Sequence, residues 1–122
     1  MKNYTNYCTE EQTKRAYKLG APIRTFECDN KIARESFIKR FDAIELEGIV
    51  MGDIPTTQQM IGWLREEKKI NITIRNFGNS YRYSVSTFIN GMDVSIYFEN
   101  NYMGYKQAEL EAIDVALNYL EK

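Results

Sequence analysis

Between residues 54 and 122 the spacing of apolar side chains switches from helical to alternating and back to helical, which leaves few folds open. Thr56 followed three residues later by Gln59 is a capping-box arrangement: the hydroxyl accepts from an orphan N–H and the amide reaches back. The spacing predicts a helix from about Thr57 to Lys69, with Met60, Ile61, Trp63 and Leu64 on its apolar side. The period then becomes two. Ile70, Ile72 and Ile74 alternate with Asn71, Thr73 and Arg75. Tyr81, Tyr83, Val85 and Thr87 alternate with Arg82, Ser84 and Ser86. Asn90-Gly91, suited to a type I′ turn because both residues tolerate positive φ, leads into Met92, Val94, Ile96 and Phe98, which alternate with Asp93, Ser95 and Tyr97. From Tyr105 the spacing is helical again, with Ala108, Ala112, Ile113, Ala116, Leu117 and Leu120 as a stripe and Glu111, Asp114, Asn118 and Glu121 opposite it. The expected fold class is α+β. It is an antiparallel three-stranded meander, open to extension by an N-terminal strand, with helices packed on one face and α-β-β-β-α order in residues 54–122.

The first 53 residues are expected to add a helix and an extension to the same single domain, since no Pro/Gly/Ser-rich linker divides the chain. Thr9 and Gln12 form a second capping box, so a short helix is expected from Glu10 to Leu19, with Gly20 just beyond its end. Ile23–Cys28 reads as a short strand. Asn30–Phe41, with Ile32, Ala33, Phe37, Ile38 and Phe41, permits a helix, and Ala43–Met51 reads as one further strand.

Composition removes whole classes of chemistry. There is no histidine, so the commonest general base and metal ligand is missing and Ser-His-Asp or Cys-His nucleophile systems cannot be built. No phosphate-binding glycine loop of the G-x-x-x-x-G-K-[ST] or G-x-G-x-x-G kind occurs. Cys8 and Cys28 have no C-x-x-C partner, which argues against a metal site and for free thiols. Carboxylate pairs such as Glu45 with Glu47, Glu66 with Glu67, or Glu109 with Glu111 read as solvated faces. No catalytic, cofactor-binding or metal-ligating residue is therefore nominated, and the chain is not expected to be an enzyme or to need a cofactor. The net charge of −1 gives no global attraction to nucleic acid or to an anionic membrane. The N-terminus lacks the apolar core of a signal peptide, and no run of about 18 apolar residues occurs, so a cytoplasmic location without membrane association is expected.

Two resemblances add to this reading. The α-β-β-β-α order, together with Lys106, Ala108, Glu109, Ala112, Ala116, Leu117 and Leu120, resembles the double-stranded-RNA-binding domain, which implies a nucleic-acid-binding alternative. The chain departs from that family in its charges, since residues 105–122 set two lysines against four carboxylates and no histidine-bearing loop exists. The segment Ile54–Glu66, the run from Thr9-Glu10-Glu11-Gln12 to Leu19-Gly20, and the closing helix Lys106–Leu120 resemble small uncharacterised proteins from phages and mobile elements of gut bacteria. That resemblance implies an accessory protein, for which inhibition of a host system is one role, and no known activity or cofactor.

The leading expectation is a non-enzymatic binding protein that acts through a protein partner. Its candidate interaction surface is the outer sheet face and its turns, represented by Arg75, Arg82, Tyr97 and Tyr102. An edge strand can also pair with a copy of itself, giving a homodimer. The alternatives are a nucleic-acid-binding module, favoured if Arg65, Lys68, Lys69, Arg75, Arg82 and Lys106 converge, and a small-ligand sponge with a pocket at a dimer interface. Trp63 is expected in the core, with its indole N–H near the surface.

Overall fold

Both capping boxes form. In the computed structural model, which describes residues 6–98 and 104–122, Thr9 caps helix α1 (Glu10–Lys18) and Thr56 caps helix α3 (Thr57–Lys68). Each hydroxyl accepts from the backbone N–H three residues on, at 3.1 Å, and each glutamine accepts from the capping residue's own N–H. The chain divides into two compact units, Met1–Pro55 and Thr56–Lys122, close to the change of pattern at residue 54.

In the first unit, α1 buries Gln12, Thr13 and Ala16, and Gly20 ends it at φ +99°. Three short strands follow: β1 (Thr25–Glu27), β2 (Ile44–Leu46) and β3 (Ile49–Met51), in the antiparallel order β1-β3-β2. The expected single strand over 43–51 is thus a hairpin. Glu47 and Gly48 both take positive φ, 52° and 85°, and reverse the chain in two residues. The N-terminal strands consequently pair with one another in their own sheet instead of extending the C-terminal meander. Helix α2 (Lys31–Phe41) links β1 to β2, with the Asn30 side chain as its N-cap. No residue of α2 is buried, and Ile32 is 82% exposed. The helix is tied down by Arg34, whose Nε lies 3.2 Å from the Glu45 carboxylate.

The second unit realises the α-β-β-β-α order. Strands β4 (Ile70–Phe77), β5 (Ser80–Ile89) and β6 (Met92–Phe98) form an antiparallel meander, followed by helix α4 (Tyr105–Leu120). Asn90 and Gly91 turn the β5–β6 hairpin with φ of 53° and 77°. The face that carries Ile70, Tyr83, Val85 and Thr87 is buried; α4 packs on β5 and β4, and α3 packs on β4 and on α4. Ala108, Ala112, Ile113, Ala116 and Leu117 give α4 a smooth, wholly buried stripe. Burying a large apolar side chain such as Leu64 or Leu117 contributes about 1.5–3 kcal/mol. Lys69 closes α3 in the left-handed region (φ 57°), and its carbonyl accepts the Thr87 hydroxyl at 3.0 Å, which fixes the helix end to β5. Trp63, expected in the core, is only half-buried: Met60, Ile61 and Leu64 fill the interior, and the Lys68 ammonium lies 5.6 Å above the indole.

Candidate functional site

The outer face of the C-terminal sheet follows from the register. Arg75 lies directly opposite Arg82, and Asn71, Thr73, Ser84 and Ser86 share their face. Arg82 places its guanidinium 4.4 Å from the Phe77 ring centroid, a cation–π contact across the diagonal of the β4–β5 ladder. Arg75 is exposed, and among the described residues no carboxylate pairs with it. Two of the four predicted surface residues are therefore brought together.

Tyr97 lies on the opposite face. An irregularity between Val85 and Ser86 makes Ile96 the extra residue of β6, so Ser95 pairs with Ser86 while Tyr97 pairs with Val85. The alternation expected for 92–98 shifts by one at that bulge, which carries Tyr97 to the helix side, where its ring stacks on Tyr83 at 5.8 Å, and turns Phe98 to the outer face opposite Ser84. Tyr102 lies outside the described residues.

Strand β6 is one of the sheet's two edges, β4 being the other, and no strand pairs with its outward side among the described residues. It is apolar for an edge. Met92 is 68% exposed and Phe98 50% exposed; Val94 is also exposed, and the only charged side chain on the strand is Asp93. Phe88 and Ile89 of the neighbouring β5 are exposed too. The usual protections of an edge, a lysine or a proline, are missing, and the bulge at Ile96 interrupts only its last residues.

Sequence reasoning missed a polar cluster where α3 meets α4. Glu109, expected on a solvated face, is 4% exposed. Gln58 Nε2 donates to its carboxylate at 2.6 Å and also lies 3.3 Å from the Tyr105 hydroxyl. Tyr105 is 45% exposed, and the partial desolvation of its hydroxyl, then the neighbouring Glu109 charge, raise its pKa above the ordinary 10.0. Tyr105 in turn meets Tyr81 edge-on at 5.2 Å. The signal was present in the spacing: Glu109 stands four residues before Ile113 and eight before Leu117, inside the buried stripe.

The basic residues do not converge. Arg65, Lys68 and Lys69 crowd the end of α3, where Arg65 pairs with Glu66 and the Lys69 ammonium donates to the Glu66 carbonyl. Arg75 and Arg82 sit toward the far end of β4 and β5, and Lys106 opens α4.

In the first unit an open cleft of about 720 Å³ lies between α2 and the sheet, lined by Phe26, Phe37, Arg40, Phe41, Asp42, Gly52 and Asp53. Cys8 and Cys28 are not joined in a disulfide. Among the described residues no group of three metal-ligating side chains is assembled, and no helix is long and apolar enough to cross a membrane.

No family model, curated protein or solved structure matches the chain.

Proposed function

We propose that this protein is a non-enzymatic binding module that acts through a protein partner, which adds an extended segment to the β6 edge. The observation that carries this reading is the edge itself: a strand whose outward side pairs with no strand among the described residues, with exposed Met92, Val94 and Phe98 and a single charge. Main-chain groups on such an edge supply affinity to an incoming strand, and the side chains on either face supply selectivity. The neighbouring outer face adds Phe88 and the Arg75–Arg82 pair, so a segment with an acidic residue beyond its apolar core is the complementary ligand. A second copy of the chain can use the same edge to form a homodimer. The resemblance of Ile54–Glu66 to phage and mobile-element proteins makes a host protein in the cytoplasm the natural partner, and inhibition of a host system the natural outcome.

Nucleic-acid binding is the weaker reading, because the six basic residues fall in three places and Glu66 lies among the first three. The test is affinity capture from the native host with the wild-type chain and with Val94→Lys, followed by mass spectrometry and by light scattering of the purified proteins. A protein retained by the wild type and lost with Val94→Lys is expected. Equal retention by both removes β6 from the interface. Absence of any partner, with a monomeric wild type, overturns the reading.

A further inference from the structure

The cleft in the first unit has a construction that packing alone does not account for. Phe37 and Phe41 stand one helical turn apart on α2 with ring centroids 4.7 Å apart, and Phe37 meets Phe26 of β1 at 5.2 Å. Gly52, just after β3, makes room for this row: a Cβ there would come within 2.6 Å of the Phe26 ring. The three rings therefore form a continuous aromatic wall, yet α2 buries none of its residues and Phe41 remains exposed. At about 720 Å³ the cleft falls within the roughly 300–1,000 Å³ typical of small-molecule sites.

The charges around that wall indicate what it suits. Asp42, at the left-handed end of α2, and Asp53, beyond β3, both line the cleft, and the carboxylate of neither has an ion pair or hydrogen bond among the described residues. Among the described residues Arg40 is the cation of the lining, and its guanidinium is already stacked 5.2 Å from the Phe41 ring centroid. Among the described residues the lining thus carries two carboxylates against one guanidinium, with the Arg24 guanidinium standing beside the wall at Phe26. The faces of its phenyl rings are the negative ends of their quadrupoles. Arg24, 4.9 Å from the Phe26 centroid, shows a second of these rings in contact with a cation.

We propose that this cleft binds a small organic cation with an aromatic body, an arylalkylammonium, whose ring lies along Phe26, Phe37 and Phe41 and whose ammonium meets the carboxylates of Asp42 and Asp53. This site is independent of the β6 edge, so a failure of one leaves the other standing.

Two probes of matched body and opposite charge test it on the full chain: tryptamine and indole-3-propionate, titrated by calorimetry and by the chemical shifts of cleft residues. Tryptamine is expected to bind saturably with Kd below about 1 mM and at least about tenfold more tightly than the carboxylate. The double variant Asp42→Asn with Asp53→Asn, isosteric and surface-located, removes most of that preference. Phe41→Leu, which keeps an apolar side chain on the helix, weakens both probes. Val94→Lys leaves tryptamine binding unchanged. Equal affinity for the two probes, an undiminished preference in the double variant, or no saturable binding of tryptamine each overturns the proposal.

Discussion

Glu109 is the residue on which the C-terminal unit takes its largest electrostatic risk. A carboxylate at 4% exposure is tolerable only while donors reach it, and Gln58 supplies a 2.6 Å hydrogen bond. Gln58→Ala is therefore expected to destabilise the protein by about 1–3 kcal/mol, although Gln58 itself is exposed and its apolar packing is slight. Urea denaturation measures this, and a loss confined to the few tenths typical of a surface change would remove Gln58 from that role. The same cluster sets an alkaline dependence. The Tyr105 hydroxyl holds its proton above the ordinary 10.0 because partial desolvation, then the Glu109 charge, disfavours the phenolate; the Gln58 hydrogen bond works in the opposite direction. In the unfolded chain the proton leaves at the ordinary value, so above it the unfolded state binds fewer protons and is lowered in free energy relative to the folded state. Tyr105's contribution is fully present below pH 10 and is lost as the pH rises through the elevated folded value. Tyr105→Phe has no such proton, and its stability should fall less steeply than the wild type's between about pH 9 and pH 11 in paired denaturation series. Parallel curves would contradict the assignment.

Among the elements, α2 stands apart because it combines good local signals with poor tertiary support. Its N-cap bond from Ala33 N–H to Asn30 is 2.8 Å, but it buries no residue and relies on Arg34 and the Phe26–Phe37 contact. Backbone amides in the middle of α2 are accordingly expected to exchange with deuterium at least about tenfold faster than those in the middle of α4, whose apolar stripe is fully covered. Comparable protection in the two helices would mean that α2 is covered by something its apolar pattern does not reveal. This contrast also marks where the sequence is legible. Signals that act within a few residues, such as Thr9 with Gln12, Thr56 with Gln59 and Asn90-Gly91, translate directly into structure because their hydrogen bonds and φ angles are local. Long periodic runs, as in α3, β4, β5 and α4, do so because a covered face demands them. The Glu47-Gly48 reversal was passed over although Ile49 stands three residues after Leu46 and so breaks the period of two that Ile44 and Leu46 begin. The Ile96 bulge was hidden because an extra residue changes the facing of Tyr97 without altering composition, and only the partner strand reveals it. Of the candidate surface, Arg75 and Arg82 were legible from β4 and β5 alone, whereas the β6 edge and the Gln58–Tyr105–Glu109 cluster depend on pairings between distant segments.

For the molecule as a whole, near neutrality separates the two kinds of partner. Sixteen basic and seventeen acidic residues leave a net charge of −1, and the basic groups of the C-terminal unit are dispersed. A partner captured by β6 would be held mainly by main-chain hydrogen bonds and by contact with Met92, Val94 and Phe98, none of which a salt atmosphere screens, and one acidic residue against Arg75 and Arg82 adds only a small screened part. Its affinity should therefore change by less than about threefold between roughly 50 mM and 300 mM salt, with an association rate in the unsteered range of about 10⁵–10⁶ M⁻¹s⁻¹. A ligand held by several phosphate contacts behaves otherwise, losing about 10³-fold or more over a similar range because counterions return to it. Surface plasmon resonance at two salt concentrations distinguishes these cases for any partner that is captured. A steep salt dependence would move the interface from the apolar edge to the Arg75–Arg82 pair, and Arg75→Ala with Arg82→Ala would then have to abolish binding that Val94→Lys leaves intact.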